Sequence, residues 1–265
     1  MSRINPNITN DMVIPTVENA SWLFERNPDA RFAVGIIAVG NEVMPGMQSI
    51  HDGYMMLRGR VYATQTRMIS DDHLVESGPQ KGAEKTDPDD ERSVHFGILE
   101  NLGNEGVRFV GCQRHIKKND QYPEILPIEQ FFPGVFKDAP ATPGSFEASR
   151  YIQRHPDPRL QDAMTVPLLT KALTYALARS EEPAYGVVEE PVEEKLSRIG
   201  VPITRIAEPL LVPEYGANNL GLVIDLPEMA RRYGVSKEVI ENARRHEFEF
   251  TFFGTVALSA ATEVA

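Results

Sequence analysis

The sequence holds one cysteine, Cys112, in 265 residues. A single thiol cannot form an internal disulfide, so a small stapled scaffold is excluded and a reducing, cytoplasmic setting is expected. No apolar run reaches transmembrane length, so a membrane span is not expected. The opening residues, "MSRINPNITNDMV", are polar and lack the apolar segment of a signal peptide. Basic charge is in deficit: 27 Lys and Arg stand against 38 Asp and Glu, for a formal net charge of −11. Phosphate backbones need a basic face, so nucleic acid is not an expected partner. An anionic substrate would have to meet arginines gathered locally against the field of the whole chain. Repeats are absent. His51, His73, His95, His115, His155 and His246 are scattered without ligand spacing, so no metal centre is expected.

The rest is an ordinary soluble composition, 42% apolar and 25% charged, in a chain long enough for a real core. "FAVGIIAVG" (Phe32 to Gly40) is β-branched and punctuated by glycine, which predicts a strand. "SIHDGYMMLRGRVYATQTRMI" places Tyr54, Leu57, Val61 and Ile69 at helical spacing. The polar stretch "SDDHLVESGPQKGAEKTDPDDER" then reads as a mobile loop of ~20 residues. "SVHFGIL" and "VRFVGCQRHI" form a predicted hairpin around the glycines of "ENLGNEG". A proline-rich connection follows.

"TVPLLTKALTYALARS" is the clearest helix. Leu168, Ala172 and Ala176 make one row, Leu169, Leu173 and Leu177 another; Thr165 is a candidate cap and Pro167 lies in the first turn. "AYGVVEE" reads as a strand and "PVEEKLSRIG" as a short helix. "ITRIAEPLLV" and "NLGLVIDL" read as paired strands, and "SKEVIENARRHEF" as a last helix. A strand–helix–strand passage inside a meandering sheet predicts a mixed sheet with helices on its faces, an α/β sandwich in one domain.

One predicted strand is unusual. "GSFEASRYIQR" sets Glu147, Ser149 and Arg150 within an apolar alternation. A buried charge without a partner costs several kcal/mol, so these groups either pair with neighbouring strands or line a cleft. In a regular strand Glu147 and Ser149 share a face and Arg150 points away. Service in one site therefore requires a bulge.

"FEASRYI" resembles the Glu-x-Ser-Arg strand of the acyl-homoserine-lactone synthases, the autoinducer synthases of quorum sensing, whose fold is a GNAT-like α/β/α sandwich with a centrally splayed mixed sheet. The resemblance continues in order. "LRGRVYA" is similar to the family's helix signature, here Arg58 and Tyr62. "DPDDERSVHFGIL" is similar to its paired aspartates, here Asp87 and Asp90. "VRFVGCQRHI" ends in the matching arginine, Arg114, and "PIEQFFPGVF" carries the Phe-Pro pair, Phe132 and Pro133. "VEEKLSRIGVPITRIAEP" resembles the helix and strand leading to the family's acyl-pocket region. The match runs from about Asp52 to Asp225. It implies a GNAT-like domain over residues 46–228, an N-terminal extension over 1–45 packed on or flanking it, and a C-terminal helix and tail over 229–265.

The resemblance implies an acyltransferase that moves an acyl group from acyl carrier protein or coenzyme A to the amine of S-adenosylmethionine and closes a lactone, with no tightly bound cofactor. Glu147 is then the base or water-orienting carboxylate. Arg114 and Arg150 fix carboxylates or bind the phosphates of the donor, and Asp87 and Asp90 hold a cationic substrate. Arg58, Tyr62, Phe132 and Ser149 complete the expected substrate site.

Other readings stand beside these. Asp87 to Glu91 reads equally as a solvated acidic turn, and Arg60 and Arg67 compete with Arg58. Phe131, Phe132, Leu168, Leu169 and Leu173 read as core or as pocket wall. The family has a tryptophan ten residues after the helix arginine, where this sequence has Met68. A different amine, such as an amino acid, or a non-catalytic acyl-thioester binder are the alternatives. Arg154, Arg159 and Lys171 offer a patch for an acidic carrier protein.

Overall fold

The structure is a computed structural model and describes residues 14–65, 69–179, 182–213, 217–246 and 248–254. Strands β1 (Thr16–Val17), β2 (Phe32–Val39) and β3 (Glu42–Val43) precede helix α1 (Gln48–Gly59), which continues as a wider π-helical segment to Gln65. Strands β4 (Ser93–Asn101) and β5 (Val107–Lys117) form the expected hairpin. The proline-rich connection, read from sequence as irregular, contains two short helices, α2 (Pro127–Phe131) and α3 (Pro133–Phe136), each started by a proline at its first position. Then come β6 (Phe146–Gln153), α4 (Pro158–Ala163), α5 (Thr165–Arg179), β7 (Ala184–Val188), α6 (Glu190–Arg198), β8 (Ile203–Val212) and β9 (Ala217–Ile224). Helices α7 (Leu226–Arg232) and α8 (Lys237–Arg245) and strand β10 (Thr251–Phe253) finish the described chain.

The sheet runs in the order β10-β2-β4-β5-β6-β7-β9-β8. Among the described residues all strand pairings are antiparallel except β6–β7, which is parallel and is bridged by α4 and α5. The sheet is therefore mixed, with helices on both faces. β2 and β4 lie inside it and are buried along nearly their whole length, which is why both read as continuous apolar runs rather than alternating ones. β2 supplies an interior strand from within the first 45 residues, and β10 pairs beside it from the far end of the chain.

Helix α5 carries both halves of the sheet. Leu168, Ala172 and Tyr175 pack into the cluster under β2, β4 and β5, while Leu169, Leu173 and Ala176 pack under β7 and β9. Each buried leucine contributes roughly 2 kcal/mol. Thr165 is not a cap: its hydroxyl donates to Gln153 Oε1 at 2.7 Å. α1 covers the opposite face with Ile50, Tyr54 and Leu57, and α2 and α3 cover its continuation with Ile128, Phe132 and Phe136. Among the described residues no helix is long and apolar enough to cross a membrane.

The segment from Ser70 to Arg92, expected to be mobile, is tied down. Leu74 bridges Glu84, the Glu84 amide donates to Met55 O of α1 at 3.0 Å, and Asp90 and Arg92 are buried. Of its polar side chains Glu84, Asp90 and Arg92 are buried, while most of residues 70–82 stay exposed.

Candidate active site

The bulge that Glu147 and Arg150 require is present. Arg114 pairs with Ser149 and Cys112 with Ile152, so three steps along β6 match two along β5. Arg150 takes up the extra residue in a left-handed conformation, φ 53°. Because residues directly opposite in an antiparallel pair share a face, Glu147 and Ser149 lie on the face of Ile116 and Arg114. The bulge turns Arg150 to that same face. Tyr151 goes to the other, where its hydroxyl donates to Thr165 Oγ1 at 3.2 Å.

Three arginines and three carboxylates meet between α1, the Glu84–Asp90 segment and the β5–β6 pair. Arg58 is fully buried; its Nε donates to Glu84 at 2.6 Å and its Nη1 to Asp90 at 2.9 Å. Arg114 Nη1 lies 2.7 Å from Asp87 Oδ1 and 2.6 Å from Asp90 Oδ1. Arg150 donates to Glu84 at 2.9 Å and to Asp87 at 3.2 Å, and its guanidinium sits 5.1 Å from the Tyr62 ring centroid. Three cations against three anions leave the cluster neutral, which is how so many charges stay inside. Burial would push the Glu84 carboxyl up, but Arg58 and Arg150 hold it down to about 2. Asp90 is likewise held far below the carboxylate range, by Arg58 and Arg114 acting against burial.

Glu147 lies outside this cluster. It is 1% exposed, and its Oε2 accepts a hydrogen bond from the Ile128 amide at 2.7 Å. Burial pushes its carboxyl up to about 8. The acid and the arginine of the β6 strand therefore do not pair with each other; both line one cavity. β6 and β7 pair over three residues only, Phe146 to Ala148 against Ala184 to Gly186. Beyond them the strands part, and a cavity of about 120 Å³ opens at the divergence, lined by Tyr62, Glu147, Ser149, Arg150 and Tyr151 together with Val188 and Val192. Past Ala148, β6 has no partner strand on that edge among the described residues.

No family model matches the chain, and no curated protein matches it in sequence. Solved structures do. The chain superposes with TM-score 0.55 on a CoA-dependent acyl-homoserine lactone synthase, BjaI, in complex with SAM and isopentyl-CoA, at 18% identity over 80% of this chain and 98% of that one. The chain has the acyl-homoserine lactone synthase fold. The synthase LasI superposes with TM-score 0.54 at 19% identity, covering 74% of this chain and 91% of that one. TofI, in a ternary complex with an inhibitor and MTA, gives TM-score 0.51 at 23% identity over 73% and 91%. The expected GNAT-like sandwich with a splayed mixed sheet is thus the observed one.

Contacts and burial separate the candidate residues. Arg58 enters the ion cluster while Arg60 is half-buried outside it; Arg67 and Met68 lie outside the described residues. Arg114 is buried against Asp87 and Asp90, which it fixes as one of its expected roles, and it does not line the cavity. Asp87 and Asp90 are not a solvated turn: arginines occupy both carboxylates, and Asp87 keeps 20% side-chain exposure. Phe132 packs with Ile116, Ile128 and Phe136 in the core and does not line the cavity. Leu168, Leu169 and Leu173 are core as well. Burial pushes the Cys112 thiol up to about 12, which makes it inert.

Sequence reading missed Glu84. Its only signal was the three-residue spacing Glu84, Asp87, Asp90 inside a polar stretch. That spacing names nothing until two arginines 26 and 66 residues away close on it.

Proposed function

We propose that the chain is an N-acyltransferase that moves an acyl group from a phosphopantetheine thioester to the amine of S-adenosylmethionine, followed by lactone closure and release of methylthioadenosine. The observation that carries the reading is Glu147: a buried carboxyl facing the β6–β7 opening, with its proton affinity raised toward that of an amine. A base poised near the working pH accepts the ammonium proton, and the freed amine attacks the thioester carbonyl. Main-chain N–H groups on the unpaired edge of β6 polarise that carbonyl. The nitrogen–carbonyl bond forms, the carbon–sulfur bond breaks and the thiol departs. Tyr62, Ser149 and Arg150 orient the amine, Val188 and Val192 flank the acyl chain, and Asp87, Asp90, Arg58 and Arg114 hold the wall rigid. The arginines of that wall hold Glu84 and Asp90 ionised, so these two do not compete with Glu147 for the proton.

Residues 46–228 form the acyltransferase unit in this reading, with β2 and β10 added from the flanking segments. No tightly bound cofactor takes part, and the substrates place the reaction in the cytoplasm, in autoinducer synthesis. The donor is coenzyme A or acyl carrier protein. Of the candidate docking cations, Arg159 is exposed on α4, while Lys171 donates to Glu249 O at 2.7 Å.

The experiment is incubation with mixed acyl thioesters and S-adenosylmethionine, with thiol and methylthioadenosine both measured. Release of the two together supports the proposal. Thiol release with an amino acid but no methylthioadenosine moves the assignment to another amine. Thioester binding without turnover by any amine makes the chain a binder.

A further inference from the structure

Arg150 stands in a backbone conformation that a residue with a Cβ adopts only under constraint, φ 53°. The side chain at this bulge is firmly held. Its guanidinium makes three hydrogen bonds, and two of them, from Nε at 3.2 Å and Nη2 at 2.9 Å, end on the same oxygen, Glu84 Oε1. The other oxygen, Glu84 Oε2, accepts from Arg58 Nε at 2.6 Å. One carboxylate thus joins a helix arginine to the arginine at the bulge. Glu84 does not line the cavity, whereas Arg150 does.

Glu84 is itself fixed by main chain. Its amide donates to Met55 O, and its segment lies directly on α1 at Gly59, where a Cβ would fall 2.1 Å from Gly82 O and 2.7 Å from Glu84 N. Glycine at 59 is what allows this approach. From that anchor a glutamate spans to both arginines, and an aspartate, one methylene shorter, cannot reach both.

From this geometry we infer that Glu84 is a positioning residue for the acyl transfer, holding the Arg150 guanidinium at the wall of the β6–β7 opening. The inference rests on the acyltransferase reading above. Arg150 touches the reactants and Glu84 acts only through it. Removing the Glu84 charge frees the guanidinium, which leaves the position at which the amine and thioester are aligned.

The test compares the parent, Glu84→Gln, Arg150→Ala and the double variant for thiol release from an acyl thioester with S-adenosylmethionine, alongside thermal unfolding. Glu84→Gln is expected to lower kcat by about ten-fold or more with little change in KM for the thioester. In the Arg150→Ala background the same change should alter kcat by less than about two-fold, because the residue it works through is gone. Factors that multiply independently in the double variant, or a folded Glu84→Gln protein with the parent's kcat, overturn the inference. Should Glu84→Gln fail to fold, Glu84→Asp keeps the charge and loses the reach, and it is expected to show the same fall in kcat; parental turnover by Glu84→Asp overturns the inference. A parent that releases no thiol with any amine removes the acyltransferase reading and this inference with it. An active parent indifferent to Glu84 removes this inference alone.

Discussion

The Glu147 carboxylate accepts a hydrogen bond from the Ile128 amide at 2.7 Å, and no arginine reaches it among the described residues. Three arginines stand on the same face of the sheet, all engaged by Glu84, Asp87 and Asp90. The separation leaves Glu147 governed by burial and Glu84 and Asp90 governed by their arginines, so their protonation moves in opposite directions.

Glu147 should therefore set the pH dependence. Its ionised form, the base, grows as pH rises through about 8, so thiol release should increase across that range, and Glu147→Gln should abolish turnover. Stability carries the opposite sign. Between the ordinary 4.5 and about 8 the folded protein keeps a proton that the unfolded chain has lost, so stability falls as pH rises. Gln retains the acceptor for the Ile128 amide and never ionises. Urea unfolding should find Glu147→Gln equal to the parent at low pH and more stable above pH 8, by on the order of 5 kcal/mol. A parallel pH dependence in both proteins would refute this account.

The arginine cluster gives the complementary acid response. Glu84, held at about 2, stabilises the fold above its ordinary 4.5, and that contribution is lost as pH falls through the window between them. Removing Arg58 leaves Glu84 and Asp90 short of a cation inside the protein. Arg58→Ala should cost roughly 3–5 kcal/mol at neutral pH, far above a surface ion pair. Chemical denaturation decides the point, and a loss below about 1 kcal/mol would show that the cluster tolerates water.

The bulge can be probed at its own residue. Arg150→Gly and Arg150→Ala both lose the guanidinium, but only glycine is at ease at φ 53°. The glycine variant should be more stable than the alanine variant by ~1 kcal/mol, with both equally deficient in turnover. Equal melting temperatures would mean that the strand relaxes once the side chain is gone.

Phe132 is 6% exposed within the core of α2, α3 and β7. Phe132→Ala should cost about 3 kcal/mol while leaving the pH profile of turnover unchanged. A shifted profile would place the ring closer to Glu147 than its packing indicates.

Local chemistry settled a good deal before any folding was considered. The two leucine–alanine rows of α5, the glycine-rich turn between β4 and β5, and the continuous apolar runs of β2 and β4 are recorded residue by residue, because burial selects side chains directly. The charged β6 strand also carried its own requirement: a glutamate and an arginine three residues apart serve one site only across a bulge. Long-range contacts settled the rest. That Arg58 and not Arg60 enters the cluster, that Asp87 and Asp90 are consumed by arginines, and that Glu84 joins two of them depends on pairs up to 66 residues apart, whose strength comes from burial. The parting of β6 from β7 is likewise a property of two strands and the helices between them, not of either segment. Charge buried in a protein has meaning only through what surrounds it, and a linear string does not state its surroundings.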